Sequence, residues 1–126
     1  MAFAYEIMRG GFSSGQAAAI GGGVNTSVVA TGSTRDTATP LTASINICTG
    51  GDGTKGVTLP AAQPGDSVLI ANNAGGIMKV FPPLGAAIGT SGTSLGSVNS
   101  SYGMAANTYT QFVCVSSTQW LTIKSG

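Results

Sequence analysis

From residue 24 onward the chain is a series of short β-branched and apolar runs, each closed by glycine, proline or asparagine. Branched and aromatic side chains favour strands, and glycine and proline punctuate them. Residues 24–31 form one run, and residues 41–49, bracketed by Pro40 and Gly50, form a second. GGDGTKG, residues 50–56, reads as a turn, because glycine supplies positive φ and an aspartate closes local hydrogen bonds. A short strand over residues 57–59 stops at Pro60. In QPGD, Pro64 presets a turn corner and Gly65 is free to take φ > 0. SVLIA (67–71) and IMKVF (77–81), joined by NNAGG, have the pattern of a hairpin.

Pro82 and Pro83 end that second run. The glycine-rich stretch 85–103 follows, with one short strand near 86–88 and with Ile88, Leu95, Val98 and Tyr102 as its candidate anchors. Two final strands, 109–115 and 119–124, are separated by Ser-Ser-Thr. Thr110, Phe112 and Cys114 share one face of the first, opposite Tyr109, Gln111, Val113 and Val115. Leu121 and Ile123 oppose Trp120, Thr122 and Lys124 in the second. The expected fold is all-β, a small antiparallel sandwich or barrel over residues 24–126. No fixed-period repeat is visible in the sequence, which argues against solenoids and collagen.

The first 23 residues differ. Met1, Phe3, Tyr5, Ile7 and Met8 form an apolar cluster. Ser13 and Ser14 then precede GQAAAI, a serine-capped alanine run suited to a short helix that ends at Gly21, Gly22 and Gly23. Such a helix is marginal alone, so residues 1–23 read as an N-terminal arm that is either a frayed terminus or a docking arm that becomes ordered against something else.

Of 126 residues, five are Lys or Arg, four are Asp or Glu, none is His, and the formal net charge is +1. Nucleic-acid binding is disfavoured, because five scattered cations make no phosphate-neutralising stripe. Disorder is disfavoured by a hydrophobic content of 42%. Without histidine there is no Ser-His-Asp triad, and the commonest metal ligand is missing. GFSSG (11–15) and GTSLG (92–96) match the nucleophile-elbow string, but in a chain rich in glycine and serine such matches arise by chance. No surroundings favour a serine-lysine dyad at Lys55, Lys79 or Lys124. A carboxylate pair would have to come from Glu6, Asp36, Asp52 and Asp66, of which Asp52 and Asp66 are explained by turns and Glu6 lies in the arm. The expectation is a non-enzyme with no cofactor and no metal.

Neither a secretory signal nor a transmembrane run of ~18 apolar residues is present, so the chain reads as a product of a cytosol with no membrane association. Cys48 and Cys114 are then expected as buried free thiols. The sequons at Asn25 and Asn99 read as chance. Trp120, Tyr102 and Tyr109 are candidate aromatics for glycan stacking or a subunit interface, with packing the commoner role for a lone tryptophan.

Residues 56–73 (GVTLPAAQPGDSVLIANN), 79–88 (KVFPPLGAAI) and 112–123 (FVCVSSTQWLTI) together resemble a small all-β module of tailed-bacteriophage virion accessory proteins. Its members include capsid cement or decoration proteins and head or tail fibre proteins. The marks are Leu-Pro-Ala-Ala at 59–62, the Pro-Gly-Asp turn, the asparagine pair at 72–73, Val-Phe-Pro-Pro-x-Gly at 80–85, and Thr-Gln-Trp at 118–120. They span roughly the C-terminal two thirds of the chain. ATGSTRDTATPLTASINICTG fits the module's first strands, and FSSGQAAAIGGG is similar to the arm that precedes it in short virion proteins.

The resemblance implies a bacteriophage structural protein, synthesised in a bacterial cytoplasm and located on the virion. Ending at Gly126 with no fibre shaft favours a cement protein that ties major-capsid subunits together on the head surface, often as a homotrimer. The partners implied are the major capsid protein and copies of the chain itself. The residues expected to dock onto capsid or neighbour are Phe3, Tyr5, Ile7, Met8, Arg9 and Phe12. The alternative is a fibre or adhesin module that binds host glycan through Tyr102, Tyr109 or Trp120.

Overall fold

The computed structural model describes residues 23–89 and 96–124, and every regular element among them is a strand. In chain order these are β1 (Val24–Val29), β2 (Thr39–Pro40), β3 (Ile45–Thr49), β4 (Gly56–Thr58), β5 (Ser67–Asn72), β6 (Met78–Phe81), β7 (Ala87–Ile88), β8 (Tyr102–Met104), β9 (Thr108–Ser116) and β10 (Gln119–Lys124). The expected arm with its helix, its six docking candidates, the first nucleophile-like string, most of the second, and Leu95 lie outside the described residues.

The strands form two sheets, a six-stranded one ordered β1-β3-β5-β9-β10-β7 and a four-stranded one ordered β2-β4-β6-β8. From β1 to β8 the chain alternates between them. Within β1-β3-β5 and β2-β4-β6 the neighbours are successive coils of a winding chain and run parallel, whereas β7 lies at the far edge, parallel to β10. Antiparallel pairing enters only with β8 beside β6 and with β9 and β10. The antiparallel sandwich expected from sequence is thus corrected to two mixed sheets. Each parallel neighbour pair from β1 to β6 is joined through the other sheet, which supplies the crossover that parallel pairing requires.

The coils are unequal. Residue 24 stands beside 45 and 45 beside 69 in one sheet, while 39 stands beside 57 and 57 beside 80 in the other. A winding chain with variable connections leaves no fixed period in its sequence.

The expected 67–71/77–81 hairpin is also overturned, because β5 and β6 lie in different sheets. Asn72 explains the crossing. Its side chain is 1% exposed, and its Nδ2 lies within hydrogen-bond reach of the Gly76 carbonyl (3.0 Å), the Met104 carbonyl (3.1 Å) and the Ala105 carbonyl (3.1 Å). The amide ties the end of β5 to the other sheet, so the following residues turn inward rather than back along β5. Pro40, expected as a bracket, belongs to β2. It is tolerated because β2 is the edge of the smaller sheet, where no ladder donor is required on the open side.

Between the sheets lies one core, which includes Val57, Ile70, Met78, Val80, Met104, Phe112 and Trp120. Tyr102 meets Phe112 edge-to-face, with ring centroids 5.6 Å apart, a favoured aromatic geometry. Of the anchors expected in the glycine-rich stretch, Ile88 and Tyr102 are buried, but Val98 is 63% exposed.

The turns follow their sequence chemistry. Gly65 takes φ +95°, Asp66 N–H donates to the Gln63 carbonyl, and Gln63 N–H donates to Asp66 Oδ2 at 3.0 Å. The turn is joined to β9 because Gly65 N–H donates to the Cys114 carbonyl and Cys114 N–H to the Asp66 carbonyl. In the 50–56 loop Asp52 Oδ1 accepts from the Thr54 hydroxyl (2.6 Å), Thr54 N–H (2.9 Å) and Lys55 N–H (3.2 Å). The Thr54 contacts hold the Asp52 carboxyl below its ordinary range. Because that pKa is depressed by folding, the loop's support is present at neutral pH and is lost as pH falls through the acid carboxylate range.

Candidate functional site

In the larger sheet, alternation points Asn46, Cys48, Val68, Ile70, Asn72, Thr110, Phe112, Cys114 and Trp120 into the core. The opposite parity faces out. Register sets these outward side chains in rows: Val24, Ile45, Leu69, Gln111 and Ile123 form one, Ile47, Ala71 and Tyr109 a second, and Ser67, Val113 and Leu121 a third.

Nearly all are apolar and none is charged. Exposure reaches 58% at Val24, 58% at Tyr109 and 62% at Ile123. The outward face of an ordinary two-sheet domain is polar, and a contiguous apolar surface of this breadth marks an interaction site. Apart from Lys124, at the end of β10, the described charged residues lie off this sheet. Arg35 pairs with Asp36 at 2.8 Å and Lys55 with Asp52 at 3.8 Å, both in loops; Asp66 sits in a turn, and Lys79 is on the smaller sheet.

The middle row contains a notch. Ala71 is small and stands between Ile47 and Tyr109, so the face dips there into an open groove of about 330 Å³ that continues over Asn73, Asn107 and Thr108. One side of the groove is aliphatic, one is the Tyr109 side chain, and one end is polar. Asn107 reaches this place in the left-handed region at φ 57°, a conformation asparagine tolerates.

The three aromatic candidates are not brought together. Trp120, 1% exposed, and Tyr102, 9% exposed, are in the core, while Tyr109 stands on the outer face. Ile45, Ile47, Leu69, Ala71 and Val113, which also line this face, are not among the residues expected from sequence. A signal for them exists in the sequence: INIC, SVLI, FVCV and WLTI carry apolar residues at both parities, the mark of strands covered on both sides.

Among the described residues, no three of His, Cys, Asp and Glu gather as a metal site. Cys48 and Cys114 are free and buried, as expected from sequence. Burial pushes the Cys48 thiol up to about 12, and burial followed by the nearby Asp66 charge raises that of Cys114. Both are neutral thiols at about pH 8, near the ordinary cysteine pKa. Ellman's reagent is expected to titrate neither thiol in native protein and both in denaturant. Fast reaction of a native thiol would contradict this burial. Because folding raises these pKa values, the thiols' neutral form favours the native state until pH rises through the ordinary thiol range, above which stability falls.

No protein-family model matches the chain, and no curated protein or solved structure matches it.

Proposed function

We propose that the chain is a non-enzymatic structural protein of a tailed-phage virion, a cement protein that binds the outer surface of the head and stabilises the major-capsid lattice. The observation that carries the reading is the broad, apolar outer face of the six-stranded sheet, whose three register rows hold no charged residue, a surface suited to packing beside other protein. The phage-module resemblance supplies the context, and the self-association it implies, as a homotrimer, fits a surface with little charge repulsion between copies. Repetition over a lattice turns weak single contacts into firm attachment. The arm residues Phe3, Tyr5, Ile7, Met8, Arg9 and Phe12 are the proposed contacts to capsid or neighbour.

Binding of this kind is insensitive to salt. Attachment to heads, read by co-sedimentation, is expected to persist at about 1 M salt, where screening limits charge interactions to about 3 Å. Release at high salt would contradict the apolar interface.

The groove beside Tyr109 favours one second reading, a fibre or adhesin module, because an aromatic side chain beside asparagine amides is chemistry suited to a sugar. A glycan array with the purified chain distinguishes the two: specific binding that is lost in Tyr109→Ala would support the adhesin.

A further inference from the structure

The outer face of the larger sheet is apolar in a chain that has few charges to keep it dispersed, so its cover in the unassembled protein is a physical question independent of the virion reading. The segment outside the described residues supplies matching chemistry. Met1, Phe3, Tyr5 and Ile7 recur at every second position, with Ala2, Ala4 and Glu6 between them, and Phe12 follows. A strand-period apolar series of this kind presents one apolar side.

The point where this segment joins the domain is defined. The Gly23 carbonyl accepts from Ser44 N–H and Ile45 N–H, both at 3.1 Å, which pins the chain at the β1 edge of that same sheet. Gly23 has φ +101°, with open space where a Cβ would stand. Glycine is thus required there by backbone direction and not by crowding, and the chain turns just before β1. With Gly21 and Gly22 preceding it, the junction permits reversal.

Reach is ample. Residues 1–22 could extend roughly 70 Å at about 3.3 Å per residue, against roughly 20 Å from β1 to β10 at about 4.8 Å per strand. A short tether also favours the chain's own face over another copy's at dilute concentration.

We propose that residues 1–22 fold back over the outer face of their own six-stranded sheet and seat an aromatic side chain in the notch over Ala71. The segment covers the rows of Leu69, Ala71 and Val113, and the notch takes a ring that the flat remainder of the face would leave exposed.

The test is nuclear Overhauser spectroscopy on the full chain. Contacts are expected between the Ala71 methyl and ring protons of Phe3, Tyr5 or Phe12, and they should vanish in an isotope-filtered mixture that reports only contacts between copies. The double variant Leu121→Lys/Ile123→Lys, on the same face and outside the core, should lose the arm contacts while keeping the Tyr102–Phe112 ring contact. No arm contact with the sheet in the wild-type chain overturns the proposal. Contacts seen in the mixed sample instead show that a second copy provides the cover, and also overturn it. Loss of head binding in an otherwise arm-covered chain would bear on the virion reading alone.

Discussion

Replacing Trp120 with alanine is expected to destabilise the domain by about 3–5 kcal/mol, the range for removing a large aromatic from a packed core. Trp120 is 1% exposed, on the β10 strand between β9 and β7, and it belongs to the single core that both sheets share. Its loss therefore opens a cavity where the winding coils meet the closing hairpin. Natural domains have only about 5–15 kcal/mol in hand, so the thermal midpoint should fall by at least about 10 °C. The adjacent Leu121, on the outward parity and 38% exposed, gives the control: Leu121→Ala should cost under about 1 kcal/mol. Thermal unfolding of the two variants reads the difference directly. Equal costs would mean that the inward and outward faces of β10 have been assigned the wrong way round.

Asn72 supports the second large effect. Its amide nitrogen lies against three carbonyls, of Gly76, Met104 and Ala105. Asn72→Ala removes the donor and leaves buried acceptors unmet, at about 1–3 kcal/mol for such a group. Asn72→Asp is expected to be worse at neutral pH, because an ionised carboxylate has no proton to donate and would face carbonyl oxygens. A protonated carboxyl restores one donor. The variant's carboxyl is therefore held protonated in the fold, with its pKa raised above that of the unfolded chain. Its deficit relative to wild type should be smallest below the ordinary aspartate pKa of about 3.9 and should widen as pH rises through it. Denaturant unfolding of Asn72→Asp across that range is the measurement. A deficit independent of pH would show that the amide does not donate to those carbonyls.

These two residues also show what could and could not be read in advance. The β9–β10 hairpin was legible because both strands alternate and the intervening Ser-Ser-Thr is a turn. The observed register places Leu121 opposite Val113 on the outward face. The turns at Asp52 and Gly65 were legible because their chemistry is local.

Sheet membership was not. NNAGG has the composition of a hairpin loop, and nothing within a few residues of it reveals that Asn72 reaches Met104 in the opposite sheet and Ala105 just beyond it. The parallel order is non-local for the same reason. It depends on which sheet each connection crosses to, and a two-residue strand such as Thr39–Pro40 acquires its identity only from its partner Val57–Thr58.

The candidate site divides along similar lines. Tyr109 was identified by its residue type, but its groove depends on Ala71 and Ile47, which lie far away in sequence and come together through the β3-β5-β9 order. Trp120 and Tyr102 were candidates for recognition because large aromatics serve both recognition and packing, and burial places these two in the core. The double-parity apolar runs were visible in the sequence. They carry meaning only once it is known that one parity meets the other sheet and the other parity faces outward.

The most direct measurement of the proposed role is the copy number of this chain in purified virions, obtained by quantitative mass spectrometry against the major capsid protein. A cement protein should be present in hundreds of copies, in fixed ratio to the major capsid protein, and should separate with heads when tails are removed. A handful of copies per particle, or separation with tail structures, would contradict the account.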